Sequence, residues 1–399
     1  MLYMSETLPL QGLKVLDLTN VIMGPFTTQL IGDLGADVIK IENPEGDMTR
    51  DIGVSRSEKM SSVFLGANRN KRSLVLNLKE KDSKNILWKL IETADIFIHN
   101  MRPQKLKALG FEPKKVTTRN SKIIFVGLYG YGSYGVYSGL PAFDDIIQGQ
   151  SGITGLYIEK NEKPAFVPSV IADKSIGLLA STGLLAAYIN RLKTGKGSFL
   201  EISMLEGMAS YVLLEHQYGE IFSPAIGKIG YPRLLSKYRK PYKSSNGYIS
   251  ILPYTDKQWF SFFDIIKLPK LKEDKRFSSL KNRAKNIDVL YKLLQNNIKK
   301  YDNSALIKLL KLYDIPHGVI NTLEKLKKDK HLKKVNFFRG YKHPSEGELN
   351  IPDTGIKLNR KSLPIRRHQP KLGEHNKEIL KELGYSSKEI KNIYKKNDE

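Results

Sequence analysis

Gly12-Leu13-Lys14-Val15-Leu16-Asp17-Leu18-Thr19, then Gly24-Pro25, then Gly35-Ala36-Asp37-Val38-Ile39-Lys40-Ile41-Glu42: the reading of this stretch decides the fold. Leu13–Thr19 and Asp37–Glu42 are short apolar runs rich in Val, Ile and Leu, bounded by turn residues, and so predict strands. Pro25 sits where a helix begins, since its missing N–H costs little in a first turn. Gly35 ends that helix. A strand, a helix and a second strand in this order predict parallel pairing in an α/β domain.

The same alternation continues outward. Ser73–Leu78, Asp95–Ile98 and Lys122–Leu128 predict further strands. Lys81–Thr93 predicts a helix, with Ile86, Leu87, Leu90 and Ile91 at helical spacing. From Gly139 to Pro168 the chain is rich in Gly and Pro and loop-like, with room for a short helix around Ile146. A largely apolar helix over 174–192 follows, then a strand at Ser198–Ser203. Between Ala225 and Lys243 the composition shifts to Gly, Pro, Arg and Tyr, which suggests a crossing into a second domain. That domain holds a strand at Tyr248–Leu252, a helix at Trp259–Ile266 and two amphipathic helices. One carries the stripe Ile287, Leu290, Tyr291, Leu294 and Ile298; the other begins at Leu306 with Ser304 or Asn303 as its cap. The expected domains are 1–205, a linker 206–243, a smaller α+β domain 244–330, and a return to the large domain over 331–399. The tail is expected to be extended at first and to end in small helices at Lys377–Leu383 and Lys388–Tyr394.

Composition narrows the function. Apolar residues make up 40% of the 399, enough for a sizeable core. There is no cysteine, which excludes disulfides and thiolate metal sites and fits a reducing cytoplasm. The first six residues lack a basic start followed by an apolar core, so no signal peptide is expected. The apolar run Ile176–Ile189 is shorter than the about 20 residues that span a bilayer and reads as a buried helix. Net charge is +24, and between Lys267 and Arg339 Lys and Arg outnumber Asp and Glu by 20 to 7. Two readings fit that stretch: solvated helix faces of a Lys-rich protein, or a surface that attracts polyanions. Nucleic acid is the weaker choice of polyanion, because no recognised aromatic-plus-basic module is present.

The candidate chemistry centres on Asp173, in Val170-Ile171-Ala172-Asp173-Lys174-Ser175-Ile176-Gly177. With no cysteine, no metal spacing among the seven histidines and no Gly-x-Ser-x-Gly elbow, a carboxylate is the expected nucleophile. The alternative is a helix N-cap, a role Asp favours. The two are compatible, since a helix N-terminus favours a negative charge. Asp144, in Phe143-Asp144-Asp145, is either a turn carboxylate or an acid/base or orienting partner for Asp173. Gly130-Tyr131-Gly132-Ser133-Tyr134-Gly135 has the Gly-x-Gly-x-x-Gly form, but Gly139 and Pro141 break the helix that a dinucleotide fingerprint must open, so a tight turn is expected. Asn68-Arg69-Asn70-Lys71-Arg72-Ser73 is either a solvated basic turn or a phosphate contact. Asn100-Met101-Arg102-Pro103 closes a strand at its carboxyl end, where parallel sheets gather ligands.

These residues, taken in order, resemble the class III CoA-transferases, whose relatives include formyl-CoA:oxalate and carnitine CoA-transferases and α-methylacyl-CoA racemase. The resemblance runs from Gly12–Thr19 and Gly24-Pro25 through Leu34–Glu42, Gly46-Asp47-Met48-Thr49-Arg50, Asn68–Ser73, Asn100–Pro103 and Gly130–Gly132. It continues at Thr194-Gly195-Lys196-Gly197, Ile315-Pro316-His317-Gly318 and Leu372-Gly373-Glu374-His375, so it covers nearly the whole chain. It implies a Rossmann-like large domain, a smaller domain and an interlocked homodimer. It implies Asp173 as a nucleophile that carries CoA between carboxylic acids through anhydride and aspartyl-CoA thioester intermediates. CoA or acyl-CoA is then a substrate, with no tightly bound cofactor, no metal, and neither nucleic acid nor membrane as partner. The implied CoA contacts are Val21, Ile22, Met23, Lys71, Arg72, Asn100, Met101 and Arg102.

The chain departs from its relatives at three points. Racemase relatives carry His where this chain has Phe143, which disfavours the alternative of an acyl-CoA racemase or isomerase. The oxalate-specific branch has a glycine run between its domains, whereas this chain has only Gly227 and Gly230 followed by Arg233, Lys237, Arg239 and Lys240. Position 22, often Gln in that branch, is Ile. A dicarboxylate such as succinate is therefore the expected donor or acceptor acid, with Arg233 or Arg239 holding its far carboxylate.

Overall fold

The computed structural model describes residues 7–395; the segment read for a signal peptide lies outside them. The described chain forms two compact units, one of 7–152, 166–211 and 336–395, the other of 153–165 and 212–335.

The first unit is built on β1 (Lys14–Leu18), α1 (Met23–Asp33), β2 (Asp37–Glu42), α2 (Ser62–Ala67), β3 (Lys71–Val75), α3 (Lys81–Thr93) and β4 (Ile96–His99). There follow α4 (Pro103–Leu109), α5 (Pro113–Arg119), β5 (Ile124–Tyr129), α6 (Asp144–Gln150), α7 (Gly155–Glu159, in the other unit), α8 (Ile171–Thr194) and β6 (Ser198–Ser203). The six strands form one parallel sheet in the order β3-β2-β1-β4-β5-β6, a Rossmann-like arrangement. Helices must cover both faces of such a sheet, which is why β4 and β5 are apolar and buried at nearly every position. The strand order reverses between β1 and β4, and the crevice beyond their carboxyl ends is where this architecture takes ligands.

Several boundaries differ from expectation. The third strand lies at Lys71–Val75 rather than Ser73–Leu78, so the basic turn feeds straight into the sheet. The short helix expected around Ile146 is α6, and the loop-like stretch also carries α7, which was not expected. Helix α8 begins at Ile171, and only one face is buried, through Ala172, Asp173, Ile176, Gly177, Ala180, Ser181 and Leu184. Leu178, Leu179, Ile189 and Leu192 on α8 are exposed, which corrects the reading of a buried helix. No helix among the described residues is long and apolar enough to cross a membrane. The expected extended start of the tail forms an antiparallel hairpin, Phe338–His343 with Gly347–Pro352.

The second unit holds an antiparallel sheet of β7 (Tyr242–Ser244), β8 (Gly247–Ile251) and β9 (His317–Val319). Helices Asp256–Ile265, Ile287–Ile298 and Asn303–Leu312 bring Trp259, Phe262, Phe263, Leu290, Leu294 and Leu306 into its core. The stripe expected on the Ile287 helix is buried at all five positions. The last of these helices is capped by Asp302, not by Asn303 or Ser304; its carboxylate accepts the N–H groups of Ser304 and Ala305.

Candidate active site

A pocket of about 360 Å³ opens at the β1/β4 reversal. It is lined by Asn20, Val21 and Met23 after β1, Met48, Asn100 to Arg102 after β4, Lys105, Leu128, Gly130, Pro141 to Phe143, Asp173 and Met204.

Charged strand residues behind the pocket hold its rim. Asp17, Lys40 and Lys71 point into one buried cluster; Lys71 Nζ lies 3.0 Å from Asp17 and Lys40 Nζ 2.7 Å from Asp47. Burial alone would raise the Asp17 carboxyl, but Lys71, Lys40 and the hydroxyls of Thr19 and Thr28 hold it below its usual range. Lys40 also donates to the Thr19 carbonyl at 2.9 Å, and Asp47 accepts the Val21 N–H at 3.2 Å. Val21 is thereby held at φ 72°, a left-handed conformation that a β-branched residue adopts only under constraint. From the other side, the Asn100 amide receives the Asn20 N–H at 3.1 Å and donates to the Asn20 carbonyl at 2.8 Å. His99, wholly buried and pushed by that burial down to about 3, accepts the Met101 N–H at 3.2 Å and so orders the β4 end.

Asp173 is not the N-cap of α8. Val170 occupies that position without a side-chain cap bond, and Asp173 sits in the first turn, 8% exposed. Its backbone N–H donates to Asp144 Oδ1 at 2.9 Å. Among the described residues no donor reaches its carboxylate. Burial first, and the Asp144 charge second, push the Asp173 carboxyl up to about 7. The field of the helix N-terminus works the other way, but burial prevails. Asp144 itself, at the start of α6, receives the Gln148 amide at 2.6 Å, and Gln148 accepts the Val167 N–H at 2.8 Å. Asp144 and Gln148 thus tie the segment before α8 to α6. Gly177, one turn beyond Asp173, lets α8 approach α1: a Cβ there would lie 3.0 Å from the Met23 carbonyl.

The structure brings Asp173 together with Val21, Met23, Asn100, Met101 and Arg102 and sets Asp144 behind it. It does not bring Lys71 or Arg72 there. Lys71 is fully buried, its ammonium engaged by Asp17, the Pro25 carbonyl and Asn68. Arg72 is clamped by Asp37, Glu378 and Glu382. A CoA contact through either side chain requires breaking these bonds. Ile22 forms the N-cap of α1 and does not line the pocket. Arg233 and Arg239 lie in the second unit, in a separate cavity. Lys105 lines the pocket and was not anticipated; its spacing of three from Arg102 on the start of a helix was the available signal. The Gly130–Gly135 turn is no phosphate cradle, because Glu206 and Glu201 accept its Gly132 and Ser133 N–H groups at 2.8 Å.

Comparison with known proteins agrees with this geometry. The family model for CoA-transferase family III matches residues 10–376. The chain is 29% identical to the succinyl-CoA:glutarate CoA-transferase of Homo sapiens, over 95% of this chain and 87% of that protein. It is 28% identical to the formyl-CoA:oxalate CoA-transferase of Rhodopseudomonas palustris, over 97% and 96%. Among solved structures, a CaiB/BaiF family protein from Brucella suis superposes with a TM-score of 0.78 at 27% identity, covering 95% of this chain and all of that one. A sheet wound in Rossmann order, a buried aspartate in the crevice of its strand reversal and a family match over nearly the whole length lead to one assignment: the chain belongs to the class III CoA-transferases.

Proposed function

We propose that Asp173 is the nucleophile of an acyl-CoA:carboxylate CoA-transferase that works on a dicarboxylate. The observation that carries this reading is a buried carboxylate that no hydrogen-bond donor among the described residues reaches, facing a pocket at the sheet's switch point. Such a carboxylate is poorly solvated and reactive once ionised. Its oxygen attacks the thioester carbonyl, the C–S bond breaks, and a mixed anhydride and CoA thiolate result. The thiolate attacks the Asp173 acyl carbon, the anhydride C–O bond breaks, and the donor acid leaves. The acceptor carboxylate repeats these two steps in reverse and restores Asp173. No proton changes hands, so the absence of a base at Phe143 costs nothing here, whereas a racemase needs one.

The pocket of about 360 Å³ suits a thioester and its acyl group rather than a whole CoA molecule. Val21, Met23, Asn100 and Met101 form its walls in this reading. Arg102 and Lys105 supply cations for the rest of CoA. The succinyl-CoA:glutarate relative supports a dicarboxylate. The exposed leucines and isoleucine of α8 support a second copy of the chain packed on that helix, as in the interlocked homodimer that the resemblance implied. The lack of cysteine supports a cytoplasmic setting.

The test is intact-protein mass after mixing with succinyl-CoA and no acceptor. A CoA adduct that maps to Asp173, disappears on adding glutarate and is missing in Asp173→Asn is expected. No adduct with any acyl-CoA, and exchange of the α-proton with solvent deuterium instead, overturns the reading in favour of a racemase.

A further inference from the structure

The second unit contains a cavity of its own, of about 520 Å³. Its wall includes Arg233, Arg239, Lys240, Tyr242, Tyr291 and His317 and, among the described residues, no Asp or Glu. Antiparallel pairing of β8 with β9 sets His317 opposite Ile251 at the sheet end, and the Ile287 helix brings in Tyr291. Arg233 is half-buried, and its Nε donates to the Tyr291 hydroxyl at 3.1 Å. Tyr291 and Tyr242 are themselves buried, so the Arg233 anchor is fixed rather than mobile. No carboxylate among the described residues pairs with Arg233, Arg239 or Lys240. Both guanidinium groups act on the Tyr242 phenol, favouring its ionised form against a burial that disfavours it more strongly. The half-buried Arg233 thus differs from the buried cations Lys40, Arg50, Arg69 and Arg72, which all have carboxylate partners. Three cations around one concavity give it a positive potential that favours an anion from outside.

We propose that this cavity binds a small dianion, a dicarboxylate or a phosphate ester, through Arg233, Arg239 and Lys240. A forked guanidinium suits both chemistries, since each presents paired oxygens to two parallel N–H groups. Tyr242 and Tyr291 add hydroxyl partners, and the cavity volume fits a small-molecule site. The choice of a dicarboxylate as first probe rests on the transferase reading above. The binding is measured in Asp173→Asn, so failure of this site and failure of that reading are told apart.

The experiment is calorimetric titration of full-length Asp173→Asn with succinate, with inorganic phosphate and with propionate. Saturable binding of a dianion, with propionate at least about tenfold weaker, is expected from loss of one charge-assisted contact. Succinate ahead of phosphate identifies the acid substrate as the source; the reverse identifies a phosphate ester. Adding Arg233→Gln and Arg239→Gln should weaken the dianion by about tenfold or more. Arg239→Gln alone, at an exposed position that no core contact depends on, keeps the test valid should the double change unfold the protein. Lys299→Gln with Lys300→Gln removes two charges from the same unit outside the cavity and should leave affinity unchanged. Absence of saturable dianion binding overturns the proposal. So does an equal loss in the Lys299/Lys300 control, which reduces the effect to net charge.

Discussion

Replacing Asp173 by Asn should stabilise the protein, and more so at alkaline pH. The Asp173 carboxyl is raised from 3.8 in the unfolded chain to about 7 in the fold. Where a folded acid holds its proton more tightly than the unfolded one, stability is full below the unfolded value and falls as pH rises. The loss is complete once pH passes the folded value near 7. At pH 8 the whole difference of about three units counts, or about 4 kcal/mol at 1.36 kcal/mol per unit. At pH 5 only the part above 3.8 has been lost, or about 1.5 kcal/mol by the same conversion. Asn keeps the shape, carries no charge and cannot titrate. Thermal melts of wild type and Asp173→Asn at pH 5 and pH 8 read the effect. The stabilisation should grow by about 2–3 kcal/mol between the two conditions, several degrees at most for a chain of this size. An equal Tm difference at both pH values refutes the buried, donor-free carboxylate on which the reading of this site depends.

Asp144→Asn removes the second cause of that shift, so the pH profile for adduct formation at Asp173 should move toward acid, read by rapid-quench mass spectrometry across pH 5–9. Asn100→Ala removes both bonds to the Asn20 backbone; KM for acyl-CoA should rise about tenfold, the worth of one to two hydrogen bonds, with kcat changed less. Gly177→Val forces α8 off α1, where a Cβ already meets the Met23 carbonyl at 3.0 Å, and should cost about 1–3 kcal/mol in denaturant melts together with the Asp173 adduct. Lys40→Met leaves Asp47 buried without its partner and should cost about 3–5 kcal/mol, seen as a large drop in Tm.

Parallel strands were legible because burial on both faces writes itself as an apolar run: β1, β2, β4 and β5 lie within a residue or two of where the sequence puts them. Asn100–Arg102 was legible as the carboxyl end of a parallel strand, whereas the crevice beside it rests on a strand order that only the structure supplies. The internal pairing of Lys71 and Arg72 was not legible, because a cation facing inward and one facing water look alike in sequence. What separates them is partners such as Asp37 and Glu382, 35 and 310 residues away from Arg72 along the chain. The position of Asp173 within the first turn was illegible for a similar reason. Nothing local to Val170-Ile171-Ala172 reveals that Asp144, 29 residues earlier, receives its N–H. Helix α7 was masked by the Gly and Pro around it, since propensity is weak evidence beside packing.

The loop at Val21 has a consequence for how a ligand meets this pocket. Its left-handed backbone is held by Asp47 and, through the Thr19 carbonyl, by Lys40, all within the folded interior. The rim is therefore set when the chain folds, not when the thioester arrives. Preorganisation of this kind shifts the entropic cost of ordering a loop from each binding event to a single folding event. It also joins two properties under one set of residues: a change at Lys40 or Asp47 that merely loosens the interior will be felt as weaker affinity at a surface neither side chain touches.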